Sequence, residues 1–311
     1  GYSMRMTGSS MKRHMDLYST VRGYGDLFMQ GVGDPAYGVT VYTLHSDNPD
    51  YFGKVRGDGS TNFWIRIAGE EKLGGNPPLF RADQLTFNGN GLSVTNDVTL
   101  DDANRGITLL GSGGTAGTVP NADPGAFTNG TPAELRRYEG GCVMRPESNT
   151  VTLTVACPIT GAGTLIKNGY GTLVLGGANT YTGQTFVIAG TLCPVSTNAL
   201  GTGPLRLGPQ GRLLRRYPGP AMPKGVELGS TVTFEEGSAV AVGLDVGYTM
   251  PGNIEVPLFS LPSAFAVDPA AVPVTHSLQN YKATVFTTDL GGSRTLYTVR
   301  LAFQGSVMLL K

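Results

Sequence analysis

The side chains of this 311-residue chain that could do chemistry are few and scattered. Its histidines stand at 14, 45 and 276, so neither His-x-x-x-His nor His-Glu-x-x-His spacing puts two imidazoles on one helical face for a metal. The densest set of candidate ligands is His45, Asp47, Asp50 and Asp58, whose carboxylates would suit calcium. Their spacing fits neither the EF-hand loop nor the glycine-rich nonapeptide calcium repeat. Residues of these types are also those of ordinary turns, so no metal is expected. The Arg-Gly-Asp tripeptide at 56–58 is too short to carry an argument. Cys142, Cys157 and Cys193 form no Cys-x-x-Cys pair for zinc. They read as small buried hydrophobes, although Cys142 and Cys157 are close enough to bridge neighbouring strands, with one thiol left over. There is no Gly-x-Ser-x-Gly elbow and no Walker-type phosphate loop. The many glycine-rich segments lie between strands and do not open helices, as a phosphate site requires.

The elements that would position any site are strands. Gly occurs 46 times, about twice average usage, while charged residues make up only 15% and apolar residues 40%. That profile suits an all-β chain with many tight turns and is too apolar for disorder. Lys plus Arg equals Asp plus Glu at 23 each, which argues against nucleic acid or an anionic membrane as partner. A charge-poor surface also repels itself little and permits self-association. No apolar run approaches 18 residues, so no transmembrane helix is expected. No signal peptide is visible, and Gly1 in place of Met suggests a processed or excerpted chain.

The stretch around which the chain is organised is GAGTLIKNGYGTLVLGGANTYTGQTFVIAGTL, residues 161–192. Short bursts of period-two alternation, such as Leu173 and Leu175, mark strands with one buried face. Each burst is closed by Gly or Asn, which tolerate turns. Gly-Thr-Leu recurs at 163–165, 171–173 and 190–192. A strand-and-turn unit repeated in so short a span implies a solenoid, in which a unit buries its apolar face only by stacking on its neighbour.

This stretch resembles the passenger-associated β-strand repeat of bacterial autotransporter-type surface proteins. The resemblance rests on Gly161, Gly163, Thr164, Leu165, Lys167, Gly169, Gly171, Thr172, Leu173, Leu175, Gly177, Asn179, Thr180, Tyr181, Thr182, Gly183, Thr185, Val187, Gly190, Thr191 and Leu192, which fall in register without a gap. It covers about a tenth of the chain strongly, with a weaker echo at 98–114. It implies a right-handed parallel β-helix outside a bacterium, a structural or adhesive role, and no catalytic residues. Asp101 and Asp102 could be an acid–base pair, but the family pattern places a turn there. An autotransporter would also carry a C-terminal membrane barrel. Residues 296–311 are too few for one, so the barrel lies outside this chain or the chain is held another way.

Elsewhere the pattern varies. Residues 1–30 hold five of the nine Met. Ser9 or Ser10 could cap a short helix with Met11, Met15 and Tyr18 on one face, as an arm docked on another subunit or as a cap over the solenoid's open end. Residues 39–44 and 63–68 read as strands. Residues 120–147 interrupt the solenoid with a polar, mildly basic insertion that includes a possible helix at 132–138. From 218 the spacers lengthen, and 218–311 reads as a region that continues and then closes the solenoid, partly antiparallel, with a separate β-sandwich as the alternative.

The expected architecture is therefore an all-β, right-handed parallel β-helix over 31–217, with an N-terminal arm or cap at 1–30 and a C-terminal β region at 218–311. The expected function is that of a non-enzymatic structural subunit on the bacterial surface, self-associating as a homo-oligomer or polymer into a fibre, sheet or layer. A monomeric adhesin or carbohydrate-binding passenger, with surface glycans as partners, is the alternative. A polysaccharide-degrading β-helix, which would need paired carboxylates, is a third reading. No cofactor, nucleic-acid partner or membrane insertion is expected. The residues that should matter are structural: Gly163, Leu165, Gly171, Leu173, Leu175, Asn179, Thr180, Tyr181, Gly183, Gly190 and Leu192. Asn179, Thr180 and Tyr181 should form a turn and buried ladder, with the Tyr181 hydroxyl on a backbone group or at the surface. Met11, Met15 and Tyr18 are the expected subunit contacts.

Overall fold

The structure is a computed structural model that describes residues 4–7, 14–30, 40–57, 63–111, 141–217, 225–244 and 253–304. Met11, Ser9, Ser10, Asp58 and residues 120–140 of the expected 120–147 insertion, with its possible helix, lie outside the described residues, whereas Gly141–Pro146 is a strand paired in parallel within the stack rather than part of an insertion. The described chain is a β-solenoid. Alternation sets the path: in Thr172–Leu175, Leu173 and Leu175 are buried while Thr172 and Val174 are half-buried. A coil with one buried face cannot satisfy its backbone internally, so its N–H and C=O groups pair with the coils above and below.

One coil shows the plan. The chain runs along Arg81–Asn88, turns a corner at 89–90 where Gly89 takes φ +70°, and continues through Gly91–Val94 and Val98–Leu100 to Arg105–Leu110. The first and last of these strands belong to a six-stranded sheet, and the middle two to the two arms of a fourteen-stranded sheet. Within these stacks the neighbours are parallel, as in Leu153↔Leu173 and Leu173↔Leu192. Two long strands, Thr185–Pro194 and Leu205–Tyr217, bend through the corner and join the arms. Buried Leu, Ile, Val and aromatic side chains from all three faces form one core along the axis.

At the N-terminal end, Met4–Thr7 pairs with Leu27–Gln30 and His14–Leu17 with Thr40–Leu44, all parallel. Residues 14–17 are therefore strand, not the helix expected from the Met11, Met15 and Tyr18 spacing. Met15 and Leu17 alternate with exposed His14 and Asp16 and pack on the core, and the edge of the next coil offers backbone partners that a solvated helix would forgo. Within the described residues, 4–30 form the outermost coil.

At the other end, Val232–Phe234, Ala239–Leu244 and Val274–His276 extend the parallel stack. Ile254–Pro262, Arg294–Phe303 and Tyr281–Gly291 then form an antiparallel sheet. Its hairpin turns through Gly291, Gly292 and Ser293, all at positive φ. Val256, Phe259, Tyr297 and Val299 join the solenoid core, so this sheet is not a separate sandwich. All three cysteines are free and buried, and no bridge links Cys142 to Cys157.

Leu173 is 0% exposed in the middle of this core. Leu173→Ala is expected to lower the unfolding free energy by about 2–5 kcal/mol. Chemical denaturation checks it, and a loss near zero would mean that the side chain is not packed as described.

Candidate functional site: the repeat coil and the open first coil

The repeat coil is built on close backbone approach. Leu165, Leu173, Leu175 and Leu192 all point inward at 0% exposure. Between Leu175 and Thr185 the chain forms no regular strand, yet it still stacks: Thr180 N donates to Ile159 O and Thr182 N to Gly161 O, each at 2.9 Å. A Cβ on Gly183 would lie 2.1 Å from Gly163 O, and one on Gly203 would lie 2.0 Å from Gly183 O. Glycine is required there because the preceding coil's carbonyl occupies the space. Gly171 is hemmed in likewise by Val151 O.

Asn179 spans three coils. Its Oδ1 accepts from Ile159 N at 2.8 Å, and its Nδ2 donates to Ala199 O at 2.6 Å. Tyr181 is fully buried, and its hydroxyl pairs with Thr185 Oγ1 at 2.6 Å rather than with a backbone group or the surface. Burial pushes its phenol up. Thr180 is exposed and contributes only its backbone to the ladder.

Lys167 lies on the inward parity of its strand, beside Leu165, and is 0% exposed. Its Nζ donates to Asn168 O at 3.0 Å, Gly169 O at 2.6 Å and Ala189 O at 2.9 Å. No carboxylate pairs with it among the described residues. Burial, then the charge of Arg145, push its ammonium down to about 7.

The first coil presents a different surface. Met15 is half-buried against the core, and Tyr18 is 71% exposed. The Tyr18 ring stacks on His45 of the next coil at 4.2 Å, and Tyr24 stacks on Phe52 at 5.4 Å. Among the described residues, Met4–Thr7 and His14–Leu17 each pair on one side only.

Residues 165–192, the coil just described, match the passenger-associated-transport-repeat family. The resemblance of this stretch to the autotransporter passenger repeat is thus shown for these residues. A similar protein is "Adhesin BmaC autotransporter" of Brucella suis biovar 1 (strain 1330), 31% identical over 168 residues. That match covers 53% of this chain, and the chain spans only 4% of the relative's length.

Outside the passenger repeat, the polar candidates do not converge. His45 Nε2 meets Asp16 at 2.8 Å, Asp47 meets Lys72, and Asp50 lies 3.7 Å from Arg22. Asp102 and Glu70 hold the guanidinium of Arg105 at 2.5 and 2.8 Å, and Gly74 O accepts from it at 3.0 Å. Arg105 is 0% exposed, so Asp102 neutralises a buried charge, and its neighbour Asp101 does not pair with it for acid–base work. Arg105 and Lys167 are the important side chains that sequence reasoning missed. Two signals could have found them: Lys167 shares the parity of Leu165, and Arg105 follows two aspartates. A third feature was also missed. Outward-facing Val41, Trp64, Val143, Ile166 and Phe186 form a second buried apolar column, with the Arg145 and Arg206 guanidinium groups each 4.6 Å from the Trp64 and Phe186 ring centroids.

Lys167 makes stability pH-dependent. Its folded value near 7 lies below the ~10.4 of a free lysine. Between these values the unfolded chain holds more protons, so stability rises with pH across that window. The unfolding midpoint of the wild type should gain on that of Lys167→Met between pH 7 and 10. A constant difference would mean that the folded chain keeps its proton.

Proposed function

We propose that this chain is a section of an extracellular passenger on a bacterial cell surface, with a structural and adhesive role and no catalysis, and that it self-associates through its first coil. The passenger repeat and the similarity to an autotransporter adhesin support the surface role. The lack of catalysis is supported by the use of Asp102 and Glu70 on Arg105 and of Asp16 on His45, which leaves these acids committed to structural partners.

The observation that carries self-association is the asymmetry of the two ends. Among the described residues, the first coil presents a strand edge paired on one side beside the exposed rings of Tyr18 and Tyr24, while the last strands form the antiparallel sheet. Unlike ends meet heterologously, and such contacts propagate. A ring on an incoming coil would lengthen the Tyr18–His45 and Tyr24–Phe52 stacks. The similarity to a Brucella protein named as an adhesin supports a second reading, that of an adhesive passenger; within that reading the chain acts as a monomer and surface glycans are its proposed ligands.

Sedimentation velocity and electron microscopy across a concentration series test the proposal. Wild type is expected to form ordered fibres or sheets as concentration rises. The Met15→Lys/Tyr18→Ala variant, which places a charge on the edge and removes the ring, is expected to remain as single rods. Single rods of wild type at every concentration would overturn self-association and make glycan binding the next measurement.

A further inference from the structure

The passenger repeat encloses a buried polar constellation. Its centre is the Lys167 ammonium. An ammonium has three N–H donors and no acceptor, and three backbone carbonyls accept from it: Asn168 and Gly169 in its own coil and Ala189 in the next. Such bonds are charge-assisted. The cage is closed around the nitrogen. A Cβ on Gly190, which sits at φ +73°, would lie 2.3 Å from Gly169 O and 2.6 Å from both Gly171 O and Lys167 Nζ. Gly169, at φ +76°, is itself hemmed in by Pro146 O 2.4 Å from where its Cβ would be. The neighbouring Asn168 fixes the corner by accepting from Gly169 N at 2.6 Å through Oδ1. Lys167, Gly169 and Gly190, separate letters of the repeat, thus form one unit: two glycines make the cavity and one lysine fills it.

We propose that this corner of the repeat is a cation cage formed by backbone carbonyls of two successive coils, which takes a primary ammonium or another small monovalent cation, and that Lys167 supplies the cation from within the chain. A lone buried charge is expensive unless its donors are matched, and the carbonyls provide that match without a carboxylate. Arg145 on the preceding coil is the charged group acting on the site, and it is of like sign. It therefore does not serve as a counter-ion, and among the described residues three carbonyls hold the ammonium. The cage ties the Gly169 corner to the Ala189 corner, where the long strand Thr185–Pro194 bends between the two arms of the sheet.

The test uses the whole chain at pH 6. Lys167→Ala empties the cage and leaves space for the missing stem, whereas Lys167→Met fills the stem volume without donors. Both are expected to unfold at lower denaturant than wild type. Propylammonium, and ammonium more weakly, should raise the midpoint of Lys167→Ala saturably and leave Lys167→Met and wild type unchanged. Tetramethylammonium at equal ionic strength, which has no donor, should rescue neither variant. Equal effects of propylammonium on all three proteins would overturn the proposal. Should Lys167→Ala not fold, wild type labelled with 15N at lysine Nζ decides the matter. One lysine nitrogen is expected to carry three protons that exchange with water far more slowly than those of the other lysines, and uniform fast exchange would overturn the cage.

Discussion

Everything in this molecule depends on the pairing of each coil's backbone with its neighbours. The parallel ladders supply the hydrogen bonds between coils, and the core they enclose is continuous along the axis. The constraint reaches beyond the strands. Where the repeat leaves regular strand between Leu175 and Thr185, the backbone still bonds to the coil before it, and Gly163, Gly183 and Gly203 stack with carbonyls where side chains would otherwise stand. The repeat's 20-residue step (163 to 183 to 203) is thus a packing requirement: each glycine must land over the one before it.

The same constraint governs the charges trapped inside. A solenoid corner exposes backbone carbonyls that the ladders do not use, and these must find donors. Two solutions appear. At the Arg105 corner the carbonyl of Gly74 is met by a guanidinium whose charge Glu70 and Asp102 balance. At the Lys167 corner three carbonyls meet an ammonium with no acid paired to it among the described residues. The first solution needs four residues to assemble, and the second needs one side chain and glycines, which is compatible with a repeating unit.

The strands, the solenoid and the inward leucines were legible because period-two alternation reports which face is buried, and the leucines of 165–192 alternate cleanly. Residues 14–17 were misread because Met11, Met15 and Tyr18 also fit a helical face, and only the presence of the Thr40–Leu44 edge decides between the two. Lys167 was seen only as a letter of the repeat, since parity placed it inside while its charge placed it outside; nothing local resolves that conflict without the carbonyls of the next coil. The column of Val41, Trp64, Val143, Ile166 and Phe186 was hidden for a related reason. Alternation marks one face as core and is silent about whether the other face is also covered.

Coil length is the remaining freedom. One column of cross-coil partners runs through His14, Val41, Trp64, Gly91, Val143, Ile166, Phe186, Arg206 and Thr233. Its steps range from 20 residues (166 to 186) to 52 (91 to 143), yet the register resumes each time. The variation falls in the segments between strands, which only need to return the chain to the next rung, and lengthening such a segment adds little closure entropy. Pairing therefore fixes the rod while leaving its corners free to differ. A surface protein can change what it presents along its flank at those corners without disturbing the ladder that holds it extended.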